Sequence, residues 1–285
     1  MRSDSGKELL YIIKAGGNVI DNAGSLNKFL LDFSSIKEKK ILVHGGGKIA
    51  TAIGDKLGIQ SKYIDGRRIT DSETIDLVTM VYGGLVNKKI VATLQSMQCN
   101  AIGLSGADAN TLPAKKRPVK VLSSGEGLSK GLLRRGEVID YGWVGDVDSN
   151  EVNPATWQLF LDNNITPVVS SLTHDREGHI LNTNADTIAS VLAVTLAKLF
   201  EVKLIFCFEK NGVLLDVNDE GSALPQINKK SYVELKENKK LFAGILPKID
   251  NALDAVDRGV TCVVIGNSNH LLQMINEESG TKIIS

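Results

Sequence analysis

Residues 41–50, ILVHGGGKIA, decide how the rest of the chain is read. Three apolar residues read as a buried strand, and three glycines as a bare turn. Ile49, Ile53 and Leu57 then fall at helical spacing. Glycines lift the Cβ barrier to unusual backbone angles, so several N–H groups can converge on one anion. The helix that follows adds its positive N-terminal end. The turn is therefore a candidate cradle for a phosphate or a carboxylate.

Outward from this stretch, short apolar runs alternate with amphipathic ones. Leu9–Ile13 reads as a strand running into a second glycine turn, Lys14-Ala-Gly-Gly17. Residues 21–36 follow as a helix with Leu26, Phe29, Leu30 and Phe33 on one face. Residues 62–70 read as a hairpin turning on Asp65-Gly66, and Thr70 and Asp71 as starters of a helix over 73–97, interrupted at Gly83-Gly84. A strand at 101–104 comes next, and residues 115–147 mix β-prone pieces with a Gly/Ser/Lys-rich insert, 123–136, read as an exposed hairpin tip. Beyond it come a helix (154–163), a strand (166–170), a long apolar helix opened by Asn182-Thr-Asn-Ala-Asp186, a strand (202–208), a helix (249–258) and a strand (261–265). Residues 281–284 read as an edge strand. Such alternation predicts an α/β fold, a mainly parallel open sheet covered by helices on both faces. A seam near 178–182 divides residues 1–181 from 182–285.

Composition narrows the possibilities. Across 285 residues, 33 basic side chains balance 33 acidic ones, which gives no bulk attraction to nucleic acid or an anionic membrane. Cys99, Cys207 and Cys262 are odd in number and sit among apolar residues, so buried free thiols are expected, not disulfides or a metal site. The start, MRSDSGKELL, lacks the apolar core of a signal peptide, and no apolar run reaches membrane-spanning length, so the cytoplasm is the expected compartment.

Which anion, then? Gly45-x-Gly47-x-x-Ala50 satisfies a dinucleotide fingerprint with Asp65 twenty positions on, which would suggest an NAD-dependent oxidoreductase. Turn chemistry already accounts for Asp65, however, and no hydride-transfer constellation follows. A Walker A loop is absent. Lys14 stands at a strand end against Gly16-Gly17, Lys248 follows Pro247 at a helix start, and Asp186 with Asn182 and Asn184 stands at another. Two lysines, an aspartate and two glycine turns at strand ends suit phosphoryl transfer, which needs positioning and cations more than covalent chemistry.

Six motifs occur in order: Lys14-x-Gly-Gly17, His44-Gly-Gly-Gly47, Gly66-x-Arg68-x-Thr70, Gly103-Leu-Ser-Gly106, Asn182-x-Asn-Ala-Asp186 and Gly244-x-x-Pro-Lys248. Together, over roughly the whole chain, they resemble the amino acid kinase family and its N-acetyl-L-glutamate kinase branch. The resemblance implies a three-layer αβα sandwich of the carbamate kinase-like kind, with an N-terminal acyl-amino-acid lobe (1–181) that also dimerises and a C-terminal ATP lobe (182–285). It implies ATP with Mg²⁺, and phosphorylation of the γ-carboxylate of N-acetyl-L-glutamate in arginine biosynthesis, with N-succinyl-L-glutamate as the alternative substrate. Lys14 and Lys248 would stabilise the transferring phosphoryl group and Asp186 would orient both. Gly16 and Gly17 would hold phosphate, Gly46 and Gly47 the substrate carboxylate and phosphoryl oxygens, Arg68 and Asn182 the α-carboxylate and acylamino group. Glu209 and Gly212 would lie at the nucleotide; no protein metal ligand is implied.

Each residue also has a plainer reading. Lys14 and Lys248 alone read as solvated surface lysines, Asp186 as a helix cap, and Arg68 as a hairpin arginine. His44 reads as packing or capping its turn. His174 and His179 lack partners at zinc-ligand spacing, and Trp143 and Trp157 read as core. Only the ordered set reverses these readings. Where relatives carry Thr-Asp-x-x-Gly-Val, this chain has Cys207-Phe-Glu-Lys-Asn-Gly-Val213, and the 123–136 insert is longer than usual. With about nine residues before the first strand, no interlacing N-terminal helix is expected, hence a homodimer with little arginine inhibition. A non-catalytic amino-acid sensor on the same fold is the remaining alternative, opposed by the intact Lys14, Asp186 and Lys248.

Overall fold

The structure, a computed structural model, describes residues 6–64, 67–121, 138–238, 240–241 and 245–285. Eight strands form the central sheet: β1 (Leu9–Ala15), β2 (Lys39–His44), β3 (Ala101–Leu104), β4 (Thr166–Ser170), β5 (Glu201–Phe208), β6 (Gln226–Ile227), β7 (Cys262–Asn267) and β8 (Thr281–Ile283). Their order across the sheet is β6-β8-β7-β5-β1-β2-β4-β3. Pairing is parallel from β7 to β3. β8 runs antiparallel to β7 and parallel to β6.

The near-continuous apolar run of β1 suits a central parallel strand buried on both faces. Its side chains alternate between two cores, Leu10 and Ile12 on one face, Tyr11 and Ile13 on the other. The first core takes Ile188 and Leu192 of the Ala185–Leu196 helix and Ile249 and Leu253 of the Leu246–Asp257 helix. The second takes Phe29 and Phe33 of the Ala23–Ser35 helix and Leu77 and Leu94 of the rod over 72–96. This is the expected three-layer α/β sandwich.

Several elements depart from expectation. The expected 21–36 helix is the helix Ala23–Ser35, and a separate short helix, Gly17–Asp21, precedes it at the second glycine turn; Asn22 accepts from Ser25 N–H and caps the new start between them. The rod over 72–96 does not break at its glycines. Between Ser72–Val78 and Asn87–Ser96 it widens into a π-helix, Thr79–Val86. By length and composition alone this rod could cross a membrane; here its inner face covers the sheet. β8 is not an edge strand, since β6 pairs outside it. Tyr63–Ile64 and Arg67–Arg68 pair as the expected hairpin, but its Asp65-Gly66 tip, the 123–136 insert and Gly244 lie outside the described residues. The three cysteines are buried free thiols.

Candidate active site

Strand order reverses at β1, with β2 on one side and β5 on the other. In open parallel sheets a crevice opens beyond the carboxyl ends at such a point. Lys14, near the end of β1, pairs in register with Phe206 of β5. Asp186 lies in the first turn of the Ala185–Leu196 helix, whose cap residue Asn184 accepts from the N–H groups of Asp186 and Thr187. Lys248 lies in the first turn of the Leu246–Asp257 helix, behind Pro247.

These three converge. Lys14 Nζ lies 2.8 Å from Asp186 Oδ1, and Lys248 Nζ donates to Asp186 Oδ2 at 3.0 Å. The Lys248 ammonium also stands 5.9 and 5.8 Å from the ring centroids of Phe206 and Phe208. Burial works against the Asp186 charge, yet the lysine charges override it and hold the carboxyl down at about 2. One carboxylate thus aligns two ammonium groups and leaves one net positive charge for an incoming anion.

The glycine turn beside them is locked from below. Gly46 has φ +155°, which strains any other residue, and a Cβ there would also crowd Tyr82 Cδ1 at 3.1 Å. No side chain caps the Gly47–Leu57 helix, and its first N–H groups suit an anion. His44 is fully buried, and burial pushes its imidazole down to about 4, so it is neutral. Gly45 O lies 2.8 Å from Nδ1, so that nitrogen carries the proton, and Nε2 accepts from Asn87 Nδ2 at 3.0 Å. His44 therefore fixes the turn, as expected. The second turn follows β1, where Gly16 caps the Gly17–Asp21 helix, also without a side-chain cap.

A cleft of about 230 Å³ opens over the turn, walled by Gly46, Gly47, Arg68, Tyr82 and Asn182. Buried Arg68 is held in place beside the turn: it donates through Nη1 to Ser61 Oγ and through Nη2 to Gly47 O at 2.9 Å and to Thr51 Oγ1 at 2.9 Å, and its guanidinium stands 4.9 Å from the centre of the Tyr63 ring. Asn182 Nδ2 donates to Thr70 Oγ1 at 3.0 Å. Arg117 also reaches the cleft, but its Nε and Nη2 donate to both oxygens of Asp146. Of the sequence-predicted residues, Lys14, Asp186 and Lys248 form one cluster. Gly46, Gly47, Arg68 and Asn182 share the cleft, and Ala185, beside Asp186, also lines it. Glu209 follows β5 and accepts from Asn267 Nδ2 through its carbonyl. Gly212 is buried where a Cβ would stand 2.5 Å from Thr281 Oγ1, so packing explains that glycine.

Sequence reading missed Tyr82 and Asn87. Asn87 was the available signal, a buried amide within an apolar stretch. Two bland expectations also shift. Trp157 is core, but half-buried Trp143 lies tilted against His179, with ring centroids 4.8 Å apart, and under Lys116. His179 does have carboxylate neighbours: ligand atoms of Asp175, Glu177 and His179 lie within 4.8 Å of one another. Asp175 there accepts from the turn's own N–H groups at Glu177 and His179.

The sequence pattern of the amino acid kinase family matches residues 10–267, and the chain belongs to that family. It is 51% identical over 278 residues to the acetylglutamate kinase of Cytophaga hutchinsonii, covering 97% of this chain and 98% of the relative. It is 48% identical over 277 residues to that of Phocaeicola vulgatus, covering 97% and 99%. Among solved structures, smu.665 from Streptococcus mutans superposes with a TM-score of 0.71 at 28% identity, covering 96% of this chain and 98% of that one.

Proposed function

We propose that this chain is an ATP-dependent kinase that phosphorylates the γ-carboxylate of N-acetyl-L-glutamate, a step of arginine biosynthesis. The observation carrying this reading is the pair of ammonium groups on Asp186, beside a glycine turn at the reversal of strand order. Full-length similarity to acetylglutamate kinases supports the acceptor.

In this reading a γ-carboxylate oxygen attacks the γ-phosphorus of ATP, the bond to the β-phosphate oxygen breaks, and an acyl phosphate and ADP result. A glutamate carboxyl, with a reference pKa of ~4.3, is ionised at neutral pH, so no general base is needed. The obstacle is repulsion between two anions. Lys14 and Lys248 offset it, along with the N–H groups of Gly16, Gly17, Gly46 and Gly47. Arg68 and Asn182 hold the α-carboxylate and acylamino group. Asp186 spends both oxygens on the lysines, so Mg²⁺ would arrive with ATP and would supply neutralisation of phosphate charge there.

Residues 1–181 serve the acyl amino acid and 182–285 the nucleotide, with Glu209 and Gly212 on the nucleotide side. The lobes share one sheet through the β1–β5 ladder. The enzyme works in the cytoplasm as a homodimer, joined through the outer face of the 72–96 rod, where Met80 and Leu85 are exposed beside Gly83 and Gly84. Sedimentation giving a monomer or hexamer would refute the dimer.

The functional test is ATP turnover with N-acetylglutamate in the presence of hydroxylamine, which converts an acyl phosphate to a hydroxamate. Hydroxamate formation in step with ADP release is expected; ADP without hydroxamate would refute a carboxyl acceptor. N-succinylglutamate is the comparison substrate. Because Asp146 already engages Arg117, N-acetylglutamate is expected to have the higher kcat/KM.

A further inference from the structure

Gly103, which opens the fourth sequence motif, lies on β3 at the edge of the sheet, separated from β1 by β2 and β4. Its glycine is required by an approach from the rod. A Cβ on Gly103 would stand 1.9 Å from Asn87 Oδ1 and 2.7 Å from Lys88 Nζ. The Asn87 amide therefore rests on bare strand backbone, at Gly103 and at Val168, its register partner on β4. Asn87 stands where the π-helical stretch gives way to regular helix, and its N–H still reaches back five residues to the Tyr82 carbonyl. Such wide turns concentrate at functional sites.

This buried amide is saturated. Nδ2 donates to Val168 O at 2.9 Å and to His44 Nε2 at 3.0 Å, while Oδ1 accepts from Lys88 Nζ at 3.1 Å. Lys88 is exposed, and an exposed lysine ordinarily extends into water. Here it turns back, donating also to Gly103 O at 3.1 Å. A cation on Oδ1 polarises the amide, and hydrogen bonds linked in a chain strengthen one another. One continuous path thus runs inward from the surface, through Lys88, Asn87 and His44. It ends at Gly45 O, 2.8 Å from His44 Nδ1, where the glycine turn begins.

We propose that Lys88 is a positioning residue for the Gly45–Gly47 turn. It acts through Asn87 and His44, and Gly103 lacks a side chain so that this path has room. The proposal rests on the functional reading above, in which the turn takes the reacting carboxylate. Removing the lysine leaves Asn87 Oδ1 without its donor, and the disturbance travels to the acyl amino acid and not to the nucleotide. Substitutions along a contiguous network of this kind shift the coupled site by about 2- to 30-fold.

The test is a double-mutant cycle, read in kcat/KM for N-acetylglutamate and in KM for ATP. Lys88→Met is expected to lower kcat/KM by about 2- to 30-fold, with KM for ATP unchanged. Lys88→Arg restores a charged donor and recovers the wild-type value. In an Asn87→Leu background, which has no Oδ1, Lys88→Met should cost nothing more. A full second loss there would mean that the lysine acts by its charge alone, and it overturns the proposal. Wild-type kcat/KM in Lys88→Met does the same. Histidine ¹⁵N spectra follow the path without turnover and do not depend on the Asn87→Leu enzyme folding. The chain has four histidines, and only the ring signals of His44 should move in Lys88→Met and return in Lys88→Arg. Unmoved His44 signals overturn the proposal even in an active enzyme. A wild-type enzyme that forms no acyl phosphate overturns the kinase reading instead, and the spectra still decide the path.

Discussion

Gly16 and Cys207 face each other across the ends of β1 and β5, so closely that a Cβ on Gly16 would stand 2.6 Å from the Cys207 carbonyl oxygen. The obstacle is backbone, which cannot rotate away. Gly16→Ala must therefore separate the two strands where Lys14 and the first glycine turn are placed. The expected cost is about 1–3 kcal/mol of stability, read by urea unfolding, with at least a tenfold loss of kcat/KM. Wild-type values for both would show that this approach is slack.

Lys248→Met removes one of two cations from the transferring group while leaving the fold's cores untouched. Loss of one preorganised charge partner typically lowers kcat by about 10²–10³, and a change confined to the transition state leaves KM within a few-fold. Asp186→Asn should lower kcat on the same scale, because both ammonium groups lose their common anchor. Steady-state kinetics with ATP and acylglutamate varied in turn check this. An unchanged kcat in Lys248→Met would remove that lysine from the mechanism.

Two groups, half-buried Asp186 and fully buried His44, fix the response to acid. Asp186 titrates at about 2 against an ordinary 3.8. Its contribution to stability is present above the ordinary value and lost as pH falls through about 2. It adds no ionisation near neutrality, so kcat should show no acidic limb between about pH 8 and 6. His44 is pushed from 6.5 to about 4. As pH falls through that interval the unfolded chain binds a proton that the folded one refuses, so stability declines. His44→Gln should flatten this decline in thermal melts run from about pH 7 to 4; an equally steep decline would contradict a neutral buried imidazole.

Asn87→Leu keeps the apolar character of the rod but withdraws the donor to His44 Nε2 and to Val168 O. Leaving buried acceptors unpaired costs about 1–3 kcal/mol. A drop of that size in unfolding free energy is expected, with a raised KM for the acyl amino acid. A gain in stability would mean that the amide is a polar burden and not a support.

The strand–turn–helix over 39–57 was legible because an apolar run, three glycines and a 3.6-residue repeat follow one another without ambiguity. The convergence of Lys14, Asp186 and Lys248 was not local information. It depends on β5 docking beside β1, and only the order of six motifs pointed to it. The π-helix was hidden because Gly83 and Gly84 suggest an interruption, whereas a five-residue hydrogen bond from Asn87 keeps the rod continuous. The commitment of Arg68 to Gly47 O was equally hidden, since a hairpin arginine and a clamping one have the same surroundings in sequence. β8 was misjudged as an edge because its few residues say nothing about Gln226–Ile227 pairing outside it.

The placement of β1 has a consequence for biosynthesis. As the chain leaves the ribosome, β1 can join β2 almost at once, but its other edge waits for Glu201–Phe208. Until then a long apolar strand offers an open row of backbone groups to any neighbouring nascent chain. Slow translation between residues 44 and 201 should therefore favour aggregation, and faster delivery of β5 should suppress it. The same order of emergence keeps the nascent protein inert: Lys14 acquires its carboxylate only after residue 186, and Asp186 its second lysine only after residue 248.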